Sequence, residues 1–455
     1  MLVEAIVCVD ILNGISKDDK LPWLADKIGD LEYVRVLTTS AKPGKKNIII
    51  VGSKTARTLP DNFEAPETNR ELCILTRSTS TPKKLYHNLL DRYYTKGDID
   101  KVIVFGGGEI YKAFMDLGII HKFYITKIDK DYKCDTFFPM DLMLQDYTLT
   151  TSSCRDNRGR TFQTWDRNFH PEYNYLELLK KVYYSGSLKT GRNGDTYSIF
   201  GETVEFDIET YGFPLLTTKK MFFRGIAEEL FWFLRADTNV NHLKDKGVHI
   251  WDGNTTREYL DSIGLTSYPE GIAGPIYGYQ WRNFNGNYTP DELPTLETSR
   301  DQLFNALKEL KENPSSRRII FSGWNPNMLN EMCLPPCHVL YQFYVIDGRL
   351  NCQMYQRSAD LFLGLPFNIA STALLTSIFA SMSGLQVGKI RICIGDAHIY
   401  KEHAEPVLEQ ITRKPLGFSK LVIKDIKTKL EDWTYNDITV DGYNSHAALK
   451  ASMKA

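Results

Sequence analysis

The chain has 455 residues, 42% of them hydrophobic and 24% charged, which is too long for one ordinary compact core and typical of globular protein, so two or more domains are expected. A formal net charge of -1 excludes any overall attraction to nucleic acid or anionic membrane. An anionic ligand would have to be met by local Arg and Lys clusters.

In chain order, MLVEAIVCVD carries an acid in a short apolar run and lacks a basic n-region, so it reads as a strand, Val3–Val9, and not as a signal peptide. The eight cysteines are scattered, several in apolar strand-like contexts, and predict a cytoplasmic protein. No apolar run is judged to reach about 18 residues, so no membrane span is expected. A polar loop, ILNGISKDDKLPW, leads to a helix expected from about Leu24 to Thr39, with Ile28, Leu31, Val34 and Val36 or Leu37 inward and Asp30 beside that stripe. Strands Asn47–Val51 and Leu72–Leu75 end in Gly52-Ser53-Lys54-Thr55 and Thr76-Arg77-Ser78, where hydroxyls and one basic residue suit phosphate. KVIVFGGGEIY, residues 101–111, reads as strand, three glycines and helix start; the glycines either admit a ligand or make a tight turn. Phe123–Ile128, DTFFP (135–139) and a hairpin of Tyr147–Ser153 with Thr161–Trp165 complete a mixed α/β unit.

LPW, the acid helix, the G-x-K-T turn, VFGGGEIY and ITKI…DTFFP stand in the order of dihydrofolate reductase, and residues 1–168 resemble that family. The resemblance implies a mixed sheet flanked by helices and NADPH-dependent reduction of dihydrofolate. It implies that Asp30 binds the pterin and supports its protonation, with Thr126 hydrogen-bonded to Asp30, Val34 against the pterin and Arg70 clamping the folate glutamate. Lys54, Thr55, Thr76, Arg77, Gly106, Gly107 and Gly108, with Ile15, Glu109 and Tyr111, would bind NADPH; Ile15, Leu21 and Trp23 would belong to a mobile loop. Asp26 competes for the acid role, and the ungapped match of DLEYVRVLTT favours Asp30. The chain departs from the family at Val34, where an aromatic is usual, and at Ser16, Ser53 and Ala56.

Residues 169–173, FHPEY, form a short join to a second domain over 174–455. A helix from Asn174 precedes a Gly-rich loop, KTGRNGDT, carrying Arg192, and then an alternating strand. The apolar segment Phe222–Leu234 holds Glu228 and Glu229, and a Glu there must be exposed, paired or functional. An amphipathic helix over about Glu297–Asn313 precedes Ser316-Arg317-Arg318, an anion contact or a solvated pair. From Cys333 to Ser371 come a Pro-Pro-Cys-His turn, two strands joined at Asp347-Gly348, Tyr-Gln-Arg-Ser and a helix opening at Gly-Leu-Pro-Phe-Asn. Cys337 reads as a thiol nucleophile or an inert core cysteine, Arg357 as an anion clamp and Asn368 as an amide able to read a heterocycle. His338 points to the other face of its strand, and Cys333-x3-Cys337 lacks a second pair to complete a metal site, so no metal is expected.

IWDGN, GPIYGYQWR, SRRII, PPCH, YQRSADLFLGLPFNIAS and GDAHIY match thymidylate synthase in order, and residues 173–443 resemble that family. The implied fold is α+β with a large twisted sheet at a homodimer interface. The implied reaction is methylation of dUMP to dTMP by 5,10-methylenetetrahydrofolate. Cys337 would attack the uracil, Tyr277 and Glu229 would relay protons, and Asn368 would select uracil over cytosine. Arg192, Arg357 and Ser358, with Arg317 and Arg318 from a partner copy, would bind phosphate; His398 and Tyr400 would hold the ribose; Asp360, Trp251 and Asn254 would flank the folate. A pyrimidine hydroxymethylase, or a synthase with a catalytically weak reductase-like domain, is the alternative. Ile272 and the tail GYNSHAALKASMKA depart from the family pattern.

Overall fold

A computed structural model describes the chain except Ala25, Lys27, Ile28, Arg192, Lys454 and Ala455, and omits the side chain of Pro66. Two compact units result: Met1–Phe169 with Thr412–Lys414, and His170–Ile411 with Pro415–Ala455.

The first unit holds strands β1 (Leu2–Val9), β2 (Gly14–Ser16), β3 (Lys46–Gly52), β4 (Arg70–Leu75), β5 (Ile99–Val104), β6 (Lys122–Ile128), β7 (Thr136–Phe137), β8 (Tyr147–Ser152) and β9 (Arg160–Arg167). Seven form one sheet in the order β4-β3-β5-β1-β6-β9-β8. The first five are parallel, and β6-β9 and β9-β8 are antiparallel. Parallel central strands are covered on both faces, which is why β3 and β5 contain unbroken Ile/Val runs at residues 48–51 and 102–104, with Ile49, Ile50, Ile103 and Val104 fully buried.

Two sequence expectations need correction here. The stretch taken as bare loop contains β2, which pairs with β7. The helix expected from Leu24 instead begins at Leu31 and ends at Thr39, after a separate 3-10 turn over Pro22–Leu24; Ile28 lies outside the described residues. Leu31 and Val36 are consequently exposed, and Asp30 occupies the position just before the helix.

The second unit is built on strands β10 (Ser187–Gly191), β11 (Gly194–Asp207), β12 (Ile320–Ser322), β13 (His338–Ile346), β14 (Arg349–Asp360) and β15 (Gln386–Tyr400), in the order β10-β11-β15-β14-β13-β12. Only β14-β15 is parallel among these pairs, and the helix Gly364–Met382 makes its crossover. That helix is long and apolar enough to span a bilayer, contrary to the sequence expectation, because Pro366, Asn368 and several hydroxyl residues do not outweigh its Leu, Ile, Ala and Phe. Most of it is buried inside the unit, as in a core helix. β10 and β11 pair antiparallel as far as Gly191 and Gly194, and the helix expected from Glu297 begins at Gln302, where the Asp301 carboxylate accepts the Phe304 N–H.

Candidate active sites

In the first unit a cleft of about 1580 Å³ opens beside the carboxyl ends of β1 and β3. Single-ligand pockets are commonly roughly 300–1000 Å³, so this one has room for two ligands side by side. Asp30, Val34, Arg70, Ile15, Lys54, Thr55, Thr76, Arg77, Gly107, Gly108, Glu109 and Tyr111 all line it. Gly106 and Thr126 do not; Gly106 turns the chain at φ +102°, where an added Cβ would meet the Tyr111 ring at 2.8 Å.

Asp30 is buried, and burial raises its carboxyl pKa, opposed first by the Thr126 hydroxyl. Even so, Asp30 Oδ2 and Thr126 Oγ1 have no formed hydrogen bond among the described residues. A buried acid with an unsatisfied oxygen is suited to an amidine-like or amide N–H edge entering the cleft. Asp26 is the wrong carboxylate for this work. It is exposed, ion-paired to Lys130 and bonded to the Tyr132 hydroxyl at 3.0 Å, which holds its pKa down.

Arg70 donates from one guanidinium nitrogen to Thr38 at 3.0 Å and stacks on Phe63, while its buried Nε has no partner among the described residues. That leaves a fork facing the cleft. At the mouth, Lys54 pairs with Asp19 at 2.9 Å and Arg77 with Glu109 at 3.5 Å, all four well exposed. Tyr111 lines the wall, and its hydroxyl donates to the Ile6 carbonyl.

In the second unit the sheet, the helix Phe223–Leu234 and the helix Tyr277–Arg282 bring the chemistry together. The Cys337 N–H donates to the Tyr277 hydroxyl at 2.8 Å. Tyr277 stacks on Phe233 and meets Trp251 and His338 edge-on. Its pKa is raised by burial and further by Cys337 and Glu229. The Trp251 Nε1–H donates to Glu229 at 2.8 Å, and burial lifts the Glu229 carboxyl to about 7. Glu228, one residue earlier, is paired with Lys246 at 2.6 Å and is therefore a structural acid.

His338 is buried, and burial lowers its pKa to about 4, so its ring is neutral near pH 7. Arg357 donates to the Pro335 carbonyl at 2.7 Å and to that of Pro336 at 3.0 Å, bracing the cysteine turn. Its own N–H bonds the Cys337 carbonyl at 2.9 Å. Asn368 accepts the Gln356 amide at 2.8 Å through an oxygen that keeps a second lone pair. Asn254 has a buried Nδ2 without a partner among the described residues, whereas Asp360 already accepts the N–H groups of Phe362 and Leu363.

Ser358, His398 and Tyr400 cluster on β14 and β15, with His398 3.3 Å from Asp396, an acid that sequence reasoning passed over although it stands inside Gly-Asp-Ala-His. Arg317 and Arg318 are exposed beside the edge strand β12. Arg192 lies outside the described residues. The tail is docked within this unit: Tyr443 bonds Met221 and Leu216, His446 N–H donates to Thr217, and His403 Nε2 is 2.9 Å from the Ser452 carbonyl.

Fold and sites define a two-domain enzyme that carries a two-ligand cleft with a buried acid in its first unit and a thiol-centred site in its second. Among family models, thymidylate synthase matches residues 173–455 and dihydrofolate reductase matches residues 2–167. The bifunctional dihydrofolate reductase-thymidylate synthase of Glycine max is 39% identical, over 96% of this chain and 92% of the relative. That of Paramecium tetraurelia is 37% identical over 98% of each chain, and enzyme 2 of Arabidopsis thaliana is 38% identical over 99% and 88%. The chain belongs to the bifunctional dihydrofolate reductase–thymidylate synthase family.

Proposed function

We propose that residues 174–455 convert dUMP to dTMP and that residues 1–168 reduce the dihydrofolate so formed, with 169–173 as the join. The observation that carries the synthase assignment is the run of contacts from Cys337 to Tyr277, from Tyr277 to Trp251 and from Trp251 to Glu229. When bound, 5,10-methylenetetrahydrofolate supplies the one-carbon unit and its reducing hydride, and NADPH supplies the hydride that restores tetrahydrofolate.

The Cys337 sulfur adds to C6 of the uracil, which makes C5 nucleophilic. Glu229, with a pKa near neutrality, and Tyr277 shuttle the protons that this addition and the later loss of the C5 proton require. Asn368 reads the N3–O4 edge, and Arg357 and Ser358 hold the phosphate with Arg192. His398 and Tyr400 take the ribose, and Trp251, Asn254 and Asp360 bound the folate.

In the reductase, the unsatisfied Asp30 oxygen fits the pterin N–H edge, and the pKa raised by burial favours the proton-carrying form that supplies a proton. Arg70 fits the glutamate carboxylate. Lys54, Thr55, Thr76 and Arg77, with the helix start at Gly107-Gly108, fit the phosphates of NADPH; Glu109 must release Arg77 to allow it.

A homodimer through the second unit fits the exposed Arg317 and Arg318 and the apolar Ile320, Tyr344, Ile346 and Tyr355 exposed on β12, β13 and β14. All eight cysteines are free thiols, as suits a reducing compartment such as the cytoplasm.

The test incubates the chain with dUMP and methylenetetrahydrofolate, with and without NADPH. We expect equal dTMP and dihydrofolate without NADPH, and dTMP with little dihydrofolate when NADPH is present. Formation of 5-hydroxymethyl-dUMP would overturn the synthase assignment, and failure to oxidise NADPH with added dihydrofolate would overturn the reductase assignment.

A further inference from the structure

We infer that Asp396 is a positioning residue of the nucleotide site, fixing the His398 ring so that its Nε2 presents a lone pair to the sugar 3'-hydroxyl; this rests on the dUMP assignment proposed above. Asp396 lies on β15, opposite Phe200 of β11 on one side and Ser358 of β14 on the other. Three strands therefore deliver groups to one carboxylate. Its Oδ1 accepts the Ser198 hydroxyl and its Oδ2 the Ser358 hydroxyl at 3.4 Å, while the buried His398 Nδ1, which forms no hydrogen bond among the described residues, stands 3.3 Å from Oδ2.

The direction of each contact follows from chemistry. An ionised carboxylate only accepts, so Ser198 and Ser358 donate, and the tautomer with its ring proton on Nδ1, the nitrogen facing the carboxylate, is the one Asp396 favours. Ser198 and His398 are both buried, so water cannot easily substitute for the carboxylate. A neutral imidazole protonated on Nδ1 has an acceptor at Nε2, and a sugar hydroxyl is its natural donor. The His398 contact, then the Ser198 hydroxyl, hold Asp396 at about 2 against its burial, so its carboxylate is ionised across the working range of pH. Ser358 makes the longest of the three contacts and can turn towards a phosphate oxygen, so Asp396 acts chiefly through His398.

The experiment compares wild type with Asp396→Asn in the full chain, using dUMP and 2',3'-dideoxyuridine 5'-monophosphate, which lacks only the sugar hydroxyl. One hydrogen bond between neutral groups corresponds to roughly 3- to 10-fold in affinity, so wild type should prefer dUMP by about that factor. In Asp396→Asn the preference should collapse towards one and the KM for dUMP should rise by the same factor. The KM for methylenetetrahydrofolate and the reductase turnover should not move, as a general loss of structure would move them. A preference retained in full by Asp396→Asn overturns the inference. If wild type neither binds nor converts dUMP, the dUMP assignment itself fails, which is a distinguishable result. Should Asp396→Asn not fold, 15N spectra of wild-type histidines, with His398 identified by His398→Gln, decide the matter. A proton on Nδ1 of His398 supports the inference, and one on Nε2 overturns it.

Discussion

The Tyr277 hydroxyl accepts the backbone N–H of Cys337 at 2.8 Å, tying the turn that presents the thiol to a short helix sixty positions earlier in the chain. Tyr277 sits at φ +25°, a backbone region uncommon for a non-glycine residue, and is held there by burial and by stacking on Phe233. Tyr277→Phe keeps the stacking and removes the acceptor. An unpaired buried N–H costs about 1–3 kcal/mol, and loss of a proton relay lowers turnover by roughly 100-fold or more. We expect kcat for dTMP formation to fall on that scale with KM for dUMP nearly unchanged, measured by product chromatography.

Glu229 should set a descending limb in the synthase pH profile. Burial raises it from 4.5 to about 7, so its neutral form is the one the folded chain favours. The associated stability is fully present below the unfolded value and is lost as pH rises through about 7. Synthase kcat/KM should fall over the same rise. Glu229→Gln should flatten that limb while lowering the rate by roughly 100-fold or more. A profile that keeps its limb in Glu229→Gln would assign the titration to another group.

Asp30 carries the corresponding prediction for the reductase. Its pKa is raised by burial, so its proton persists above the ordinary carboxylate range and reductase activity should decline as pH rises and that proton leaves. Asp30→Asn should reduce dihydrofolate turnover by roughly 100-fold at neutral pH, followed by NADPH absorbance. Asp26→Asn, which removes an exposed ion pair and the carboxylate that the Tyr132 hydroxyl bonds, should leave turnover near wild type.

Arg70→Leu tests the carboxylate clamp. Hydrogen bonds to charged groups are worth about 1.5–3 kcal/mol, so KM for dihydrofolate should rise roughly 10- to 100-fold. A dihydropterin without the glutamate should be reduced equally well by both forms.

Stability around the thiol site should depend on Arg282, which is buried and paired with Asp301 at 2.8 Å while also bonding the Leu234 carbonyl. Desolvation raises the Asp301 pKa even against this neighbouring charge, so removing the guanidinium leaves a costly acid in the core. Arg282→Ala should destabilise the second unit by about 3–5 kcal/mol, read by thermal unfolding.

The sequence by itself determined the order of motifs, the strand positions and the two-family character of the chain, because period-two and unbroken Ile/Val patterns, Gly turns and reactive residue types are local properties. Residue patterns alone did not separate neighbouring acids, and only the family resemblance favoured Asp30 and Glu229. Glu228 and Glu229 stand about 100° apart on one helix, and only the fold sends the first to Lys246 and the second to Trp251. Asp26 and Asp30 are likewise separated by what reaches them, since Lys130 and Tyr132 arrive from about a hundred residues away to hold one carboxyl's pKa down while burial raises the other's. The start of the helix at Leu31, the bracing of the Cys337 turn by Arg357 and the gathering of Ser198, Ser358 and His398 on Asp396 belong to the same class. Each depends on groups distant in sequence, and burial and electrostatic environment exist only once the strands and helices have packed.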